Sequence, residues 1–157
     1  MVDRLTAERR SWLMSRVRGK NTKPEMIVRR AAHALGLRFR LHRKDLPGRP
    51  DIVFPRHWVA LFVHGCFWHR HPGCRLASTP KTRTEFWQTK FDANVARDAA
   101  TDQALREAGW RVVTIWECET RKEELVRMRL AEISVLAEVR ECGHSSGTDI
   151  EGGAHGE

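Results

Sequence analysis

Residues 51–63 read DIVFPRHWVALFV, and this stretch decides the fold. The runs 51–54 and 58–63 have the length and composition of strands, and Pro55 begins the turn between them. The second run is apolar at every position, which is typical of a strand that is central in a sheet. We expect the rest of the chain to be arranged around these two strands.

Helical and extended patterns alternate on both sides of this pair. Upstream, Thr22 is a candidate N-cap for a helix that ends near Gly36, and residues 37–42 alternate apolar and basic side chains like a half-exposed strand. The order αβββαβα indicates a single α/β domain around a mixed sheet flanked by helices. The downstream elements are predicted over 84–108 (helix), 110–116 (strand) and 120–140 (helix).

The two ends of the chain differ in charge. Residues 1–50 contain 14 Lys and Arg against 4 Asp and Glu, whereas residues 101–157 contain 7 against 12. A basic N-terminal third, with residues 1–20 as a DNA-contacting helix, is the footprint expected of phosphate contacts, although a solvated basic face has the same composition. The predicted domain covers 1–142, and the Gly- and Ser-rich segment 143–157 is expected to be a disordered tail.

The sequence contains no apolar run near the ~20 residues that span a bilayer, and its start lacks the apolar core of a secretory signal. We therefore expect a cytoplasmic protein with no membrane partner. In that compartment cysteines are better suited to metal binding than to disulfides. The chain has four of them, at Cys66, Cys74, Cys118 and Cys142.

Soft metal ligands are concentrated directly after the second strand. Cys118 follows the predicted strand 110–116, so it lies beside this loop if the two strands are neighbours. Four such ligands hold zinc tetrahedrally, and zinc would then staple the loop to the sheet. Either His64 or His69 is an alternative histidine ligand, and ordinary buried cysteines are the simpler interpretation. The candidate zinc ligands are Cys66, His71, Cys74 and Cys118, with Cys142 as a bystander.

Harder ligands and proton-transfer groups surround the strand ends. Asp51 and the backbone oxygen of Val63 are candidate ligands of Mg²⁺, which prefers oxygen and assists phosphodiester hydrolysis. The second acid and the lysine that often accompany such an aspartate, at x-Glu-x-Lys spacing, are absent. His64 and His69 are therefore the candidates for moving protons, because imidazole titrates near neutral pH.

Two further acids are weaker candidates for the same site. Glu25 is suited to orienting a histidine or a metal-bound water, although an acid at a helix start is the simpler interpretation. Asp98 is suited to polarising a histidine, although a surface ion pair on its helix is the simpler interpretation.

Aromatic pairs occur in the loop, at Phe67 and Trp68, and at the start of the next helix, at Phe86 and Trp87. We expect one member of each pair to be buried. An aromatic side chain on a rigid loop can also wedge between base pairs, at a cost of a few kcal/mol for the step that is unstacked.

Taken together, these residues resemble the very-short-patch repair endonucleases, bacterial enzymes that nick DNA at T:G mismatches. The resemblance runs in order over about residues 8–120 with little gapping. The matching motifs are LPGRPD (46–51), HGCFWH (64–69), TRTEFW (82–87), NVARD (94–98), GWRV (109–112) and WEC (116–118).

The resemblance implies a fold like that of type II restriction endonucleases and a role for each motif residue. Asp51 and the Val63 carbonyl would hold Mg²⁺, and His69 would act as general base on the attacking water. His64 would support the phosphate or the leaving group. Glu25 and Asp98 would complete the site, and the zinc ligands would be Cys66, His71, Cys74 and Cys118.

The family's intercalating wedge corresponds to Phe67, Trp68 and Trp87, with Met14 entering from the other groove. Lys90 and Asn94 correspond to positions that face the mismatched bases. The chain departs from some members in two places. Its histidine-containing loop is one residue longer before Cys74, and Val63 replaces a threonine, which a backbone ligand tolerates.

We expect a Mg²⁺-dependent nickase that cuts 5′ to the mispaired thymine of a T:G mismatch left by deamination of 5-methylcytosine. Its partners would be mismatched double-stranded DNA, a cytosine-5 methyltransferase with the same target sequence, and the mismatch-repair proteins and polymerase that act after the nick. It is expected to be a bacterial monomer, associated with the nucleoid when on DNA. The alternatives are a restriction-type endonuclease of the same fold with no mismatch requirement, and a non-catalytic zinc-stapled DNA-binding module.

Overall fold

The computed structural model describes residues 19–141 and positions 6, 8, 9, 12 and 16, with side chains described up to Ile133. Met14, Cys142, the segment 143–157 and most of the predicted N-terminal helix lie outside the described residues. The helices are α1 (Lys23–Ala34), α2 (Thr84–Glu107) and α3 (Glu123–Glu141). The strands are β1 (Arg40–Leu41), β2 (Ile52–Phe54), β3 (Val59–His64) and β4 (Arg111–Trp116).

The four strands form one mixed sheet in the order β1-β2-β3-β4. β1, β2 and β3 pair antiparallel, whereas β3 and β4 pair parallel through the crossover that contains α2. The predicted α/β class, the element order and the central position of β3 are confirmed. The predicted position of the strand before Cys118, which is β4, beside β3 is also confirmed.

Alternate residues of β3 point to opposite faces of the sheet, as the two-residue period of a strand requires. Val59 and Leu61 belong to a core with α1 and α3, in which Val28, Val126 and Leu130 are fully buried. Ala60 belongs to a second core on the other face, with Leu105 of α2 and Trp110. A sheet covered by helices on both faces explains why β3 is apolar at almost every position.

Several element bounds differ from the sequence prediction. The strand predicted over 37–42 is only two residues long, because His42 has a left-handed backbone (φ 46°) that ends it, and both of its residues are exposed. Trp58 also has positive φ (52°) and ends the 3-10 turn Pro55–His57, so β3 begins one residue later than predicted. The final helix begins at Glu123, after the 3-10 turn Glu119–Arg121.

The turn before β2 lies directly against α2. Gly48 has φ 68°, and a Cβ atom built there would lie 2.2 Å from Cγ2 of Thr101. No side chain fits in that space, and positive φ is itself unfavourable for any residue with a Cβ atom. Gly48 therefore allows the segment that leads to Asp51 to contact the helix that carries Asp98.

Candidate active site and metal centre

A cleft of about 1210 Å³ lies between the start of α1, the ends of β3 and β4, and α2. All the residues predicted for catalysis line it, although they come from five separate parts of the chain. They are Glu25, Asp51, Val63, His64, His69 and Asp98.

Asp51 lies at the edge between β2 and β3. The backbone N–H of Val63 donates a 2.8 Å hydrogen bond to its Oδ2. Burial, and to a smaller extent the nearby Glu25, raise the pKa of Asp51 to about 6 against the opposing effect of that hydrogen bond. The N–H and C=O of one strand residue point to the same side, so the carbonyl of Val63 faces the same edge as its N–H. This edge therefore offers two oxygen ligands to a cation.

Glu25 is an acid at the start of α1, as the simpler interpretation of the sequence predicted. It forms a capping box with Thr22, the predicted N-cap residue. The Thr22 side chain accepts from the Glu25 backbone N–H, and the Glu25 carboxylate accepts from the Thr22 N–H. It is also 3% exposed and pairs with the buried Arg29, whose Nη2 lies 2.8 Å from Oε2. Buried charges require such pairing. The acid therefore lines the cleft as a fixed, paired carboxylate.

His64, His69 and Asp98 form one contiguous group. The His64 and His69 rings stack with centroids 3.9 Å apart and planes within 10°. Nδ1 of His69 lies 2.6 Å from Oδ2 of Asp98. Burial, and then the neighbouring His69, lower the pKa of His64 to about 4. His64 is therefore neutral at pH 7, whereas the orientation of His69 is fixed by a carboxylate.

The predicted zinc ligands meet in a separate cluster on the other side of the same loop. Their four ligand atoms lie within 4.8 Å of one another. His71 Nδ1 lies 3.3 Å from the sulfur of Cys118 and 3.7 Å from that of Cys66. His71, and not His64 or His69, is therefore the histidine beside the cysteines. The set is Cys66, His71, Cys74 and Cys118.

The donor atoms of this cluster suit zinc. Tetrahedral bonds of the usual Zn–S and Zn–N lengths place sulfur and nitrogen about 3.6 Å apart, which the two distances to His71 bracket. Burial raises the pKa of the Cys66 thiol to about 12, so this buried sulfur needs a cation to become a thiolate. Three sulfurs and one imidazole are the composition of a closed, structural site.

The aromatic side chains pack together at the rim of the cleft. Phe67 contacts Trp68, Trp87 and Phe91 edge-on, with ring centroids 5.0 to 5.6 Å apart. Trp87 is only 6% exposed, whereas Phe86 is 48% exposed, so one member of that pair is buried as predicted. Phe67 and Trp68 are both half-buried, so the same prediction was wrong for their pair. In this arrangement Trp87 is buried beneath the rim and supports the ring of Phe67. Its own ring would have to move outward before it could contact a base.

Lys90 and Asn94 lie on α2 beside this rim. Lys90 Nζ is 5.6 Å from the Trp68 ring centre and 5.9 Å from that of Phe86. The amide of Asn94 donates a 3.0 Å hydrogen bond to the backbone oxygen of Trp68. Both residues therefore contact Trp68 in the loop after β3, and both line the cleft.

Sequence reasoning missed three residues of this site. Arg29 pairs with Glu25, and its Nη2 also lies 3.0 Å from Nε2 of His42. The spacing of four residues between Glu25 and Arg29 was the available signal. Trp116 stacks on His71, with centroids 4.3 Å apart, but nothing local in the sequence connects these two residues.

Comparison with known proteins identifies the family. The model of the family described as DNA mismatch endonuclease Vsr matches residues 2–75. The type II nicking enzyme V.XorIIP of Xanthomonas oryzae pv. oryzae is 54% identical over 133 residues, which cover 85% of this chain and 97% of that protein. This chain belongs to the Vsr family. The DNA mismatch endonuclease Vsr of Escherichia coli (strain K12) is 40% identical over 135 residues, 83% of each chain.

Membership in the Vsr family makes the protein a DNA endonuclease and DNA its substrate. The matched segment contains Glu25, Asp51, His64 and His69, whereas Asp98 and Cys118 are added by later elements of the fold. In the part of the chain that the structure describes, no helix is long and apolar enough to cross a membrane.

Proposed function

We propose that this Vsr-family endonuclease nicks one strand of DNA 5′ to the mispaired thymine of a T:G mismatch, and that it requires Mg²⁺. The observation that carries the proposal is that one cleft brings these residues together. It joins the oxygen ligands at Asp51 to a histidine fixed by an acid, beside a rim of half-exposed aromatic rings. Hydrolysis of a phosphodiester needs the first two features, and reading a distorted base pair needs the third.

Asp51 and the carbonyl of Val63 would hold the cation. The hydrogen bond from Val63 occupies Oδ2, and within the described residues no donor is bound to Oδ1. Mg²⁺ prefers hard oxygen ligands and keeps several waters, so one carboxylate and one carbonyl suit it. When bound, Mg²⁺ neutralises charge on the scissile phosphate. Glu25, already paired with Arg29, would orient water on the other side of Asp51 without adding a full unpaired charge.

His69 would be the general base. Its Nδ1 is bonded to Asp98, which leaves Nε2 to remove a proton from the attacking water. The water oxygen bonds to phosphorus, and the bond from phosphorus to the 3′ oxygen breaks. The leaving 3′ oxygen takes up a proton from solvent water, so the products are a 5′-phosphate and a 3′-hydroxyl. His64, neutral and stacked on His69, would donate a hydrogen bond to the phosphate or to the leaving oxygen.

Zn²⁺ is the ion we assign to the Cys/His cluster, where it would fix the loop that carries His69 and Trp68. Phe67 and Trp68 would form the intercalating wedge, with Trp87 behind them and Met14 opposite. Lys90 and Asn94 would face the mismatched bases. Wedging favours a wobble pair because that pair costs less to unstack and distort than a matched one.

The biological setting follows from the chemistry of the substrate. T:G mismatches arise when 5-methylcytosine deaminates, so a cytosine-5 methyltransferase with the same target sequence would be the functional partner. The 3′-hydroxyl would be extended by a DNA polymerase, in concert with mismatch-repair proteins. A nick in one strand needs only one active site, which favours a monomer. Its place of action would be the bacterial cytoplasm, on the nucleoid.

The second candidate is a restriction-type endonuclease of the same family that has no mismatch requirement. It is favoured by relatives named for nicking rather than for mismatches, such as the type II nicking enzyme V.NmeAIP of Neisseria meningitidis (38% identical over 130 residues, 83% of this chain and 92% of that protein). A non-catalytic zinc-stapled module is disfavoured because it leaves the cleft residues without a purpose.

One experiment separates these functions. T:G duplexes with randomised flanks and matched T:A duplexes of the same library are incubated with the protein, with and without Mg²⁺. We expect nicks only in T:G duplexes and only with Mg²⁺. Equal cleavage of both libraries would establish the restriction-type function, and intact but bound DNA at every Mg²⁺ concentration would establish the binding module.

A further inference from the structure

A continuous row of rings connects the Cys/His cluster to the histidines of the cleft. The His71 ring stacks on Trp116 with centroids 4.3 Å apart and planes within 9°. The rings of Trp116 and His64 in turn form a T-shaped contact, with centroids 5.5 Å apart and planes at 72°. His64 stacks on His69, and His69 is bonded to Asp98. Trp116 is thus the side chain through which the metal cluster touches the catalytic group.

The sheet fixes Trp116 in this place. Trp116 of β4 and His64 of β3 are paired in the parallel register, so their side chains stand side by side on the α2 face. The backbone N–H of Trp116 donates to Oε2 of Glu119 at 2.7 Å, and the N–H of Glu117 donates to the His64 carbonyl at 2.9 Å. These bonds fix the backbone that carries the indole, which stacks flat against His71 and lies at 72° to the ring of His64.

The ring of His71, by contrast, would be held by a bound metal ion and by this stack, whereas its backbone is bonded to Cys66 and Cys74 of the same loop. It lies in the loop after β3, which contains no regular secondary structure, and its Nδ1 points to the cysteine sulfurs. A bound ion would fix the ring plane, and the stack would pass that constraint to Trp116. No direct contact between His71 and His64 is needed.

We propose that Trp116 is a positioning residue that transmits the order of the metal-bound His71 to the orientation of His64. This proposal rests on the proposed function only for its effect on nicking. Without the indole, His64 loses one of its three ring neighbours, and only His69 and Phe62 still limit the tilt of its ring. Zinc then stabilises the loop but no longer orients the histidine pair.

The test compares Trp116→Leu, Trp116→Phe and the control Trp110→Leu in the full-length, zinc-loaded protein. Trp110 precedes the same strand and is 8% exposed, but it packs at the other end, against Leu105 and Trp58. Imidazole NMR signals of His64 and His69 are recorded in each variant, first with Zn²⁺ and then with the larger Cd²⁺ in its place. Metal content, melting temperature and single-turnover nicking are measured on the same samples.

In the wild-type protein and in Trp110→Leu, exchange of Zn²⁺ for Cd²⁺ should shift the His64 ring signals. In Trp116→Leu the exchange should leave them unmoved, while metal content stays stoichiometric and nicking slows at least about 10-fold with unchanged DNA affinity. Trp116→Phe should restore part of both responses, because a phenyl ring can still stack.

Two results would overturn the proposal. One is a His64 response to Cd²⁺ in Trp116→Leu as large as in the wild type. The other is loss of metal from both Trp116 variants, which would make the indole a packing element of the cluster. The NMR readout is independent of catalysis, so a wild-type protein that couples Cd²⁺ to His64 but does not nick refutes the proposed function alone.

Discussion

The backbone N–H of Val63 and Oδ2 of Asp51 are joined by a 2.8 Å hydrogen bond across the edge between β2 and β3. This bond holds a carboxylate whose pKa burial raises from 3.8 to about 6. Between these two values the folded protein retains a proton that the unfolded chain has released. Stability therefore falls as the pH rises through this window, and it stays lower above pH 6.

The substitution Asp51→Asn should consequently stabilise the protein at neutral pH while it abolishes nicking. Asparagine keeps an oxygen for the Val63 N–H but has no charge to desolvate, so we expect a gain of about 1–3 kcal/mol at pH 7.5 that disappears near pH 4. Urea unfolding at both pH values in magnesium-free buffer measures it. Added Mg²⁺ should stabilise only the wild type. A difference that is equal at the two pH values would contradict the buried-charge argument.

The substitution Asp98→Asn should slow nicking without weakening DNA binding. The carboxylate orients His69 through the 2.6 Å bond to Nδ1, and an amide can favour the wrong tautomer. We expect a loss of about 10²–10⁴-fold in the single-turnover rate, the range typical of general-base catalysis. Asp102→Asn is the matched control, because Asp102 lies one turn later on α2 in an exposed pair with Arg106. Equal rates for both variants would remove Asp98 from the mechanism.

The substitution Arg29→Met should destabilise the protein by about 3–5 kcal/mol, because it leaves the buried Glu25 carboxylate without its cation. Adding Glu25→Gln should recover much of this loss, since the double variant no longer buries an unpaired charge. Chemical denaturation of the four forms gives the coupling free energy. Arg30→Met, at an exposed position of the same helix, should have little effect. Additive losses in the double variant would show that the pair does not act as a unit.

The substitution Cys118→Ala should lower bound zinc and melting temperature together, because Cys118 is the proposed ligand that would connect the loop to the end of β4. Cys142→Ala is the comparison, and it should retain a full equivalent of zinc. Metal analysis and thermal unfolding of the two variants provide the measurement. Stoichiometric zinc in Cys118→Ala would mean that this residue is not a ligand.

The substitution Trp68→Ala should reduce the preference for T:G over T:A duplexes more than it reduces total DNA affinity, because a wedge contributes mainly where a pair is easily distorted. Trp58→Ala is the control. That tryptophan is 48% exposed but stands at the opposite end of β3 from His64. Affinities for both duplexes are measured at one salt concentration. A proportional loss on the two duplexes would argue against a wedge.

The parts of this molecule that were predictable from sequence are those set by local pattern. The apolar run of β3 indicated a central strand, and Thr22 indicated the start of α1. The close spacing of Cys66, His71 and Cys74 indicated a metal cluster, and the structure brings their ligand atoms together. The position of Cys118 was also predictable, because the carboxyl ends of neighbouring parallel strands meet at the same edge of a sheet.

The parts that were not predictable depend on packing between distant segments. The contact of Arg29 with His42 joins α1 to the end of β1, and the stack of Trp116 on His71 joins β4 to a loop. The burial of Trp87 follows from the aromatic rings of Phe67 and Phe91 around it. Residue type alone did not distinguish Trp87 from the half-buried Trp68.

The close approach of Gly48 to Thr101 has a consequence for how this enzyme can vary. Asp51 lies three residues after Gly48, and Asp98 lies three residues before Thr101, within one turn of α2. The separation between Asp51 and the acid that orients His69 therefore depends on the absence of a Cβ atom at Gly48. A methyl group at position 48 would push the turn before β2 away from α2 and widen the cleft, although every proposed catalytic side chain would remain.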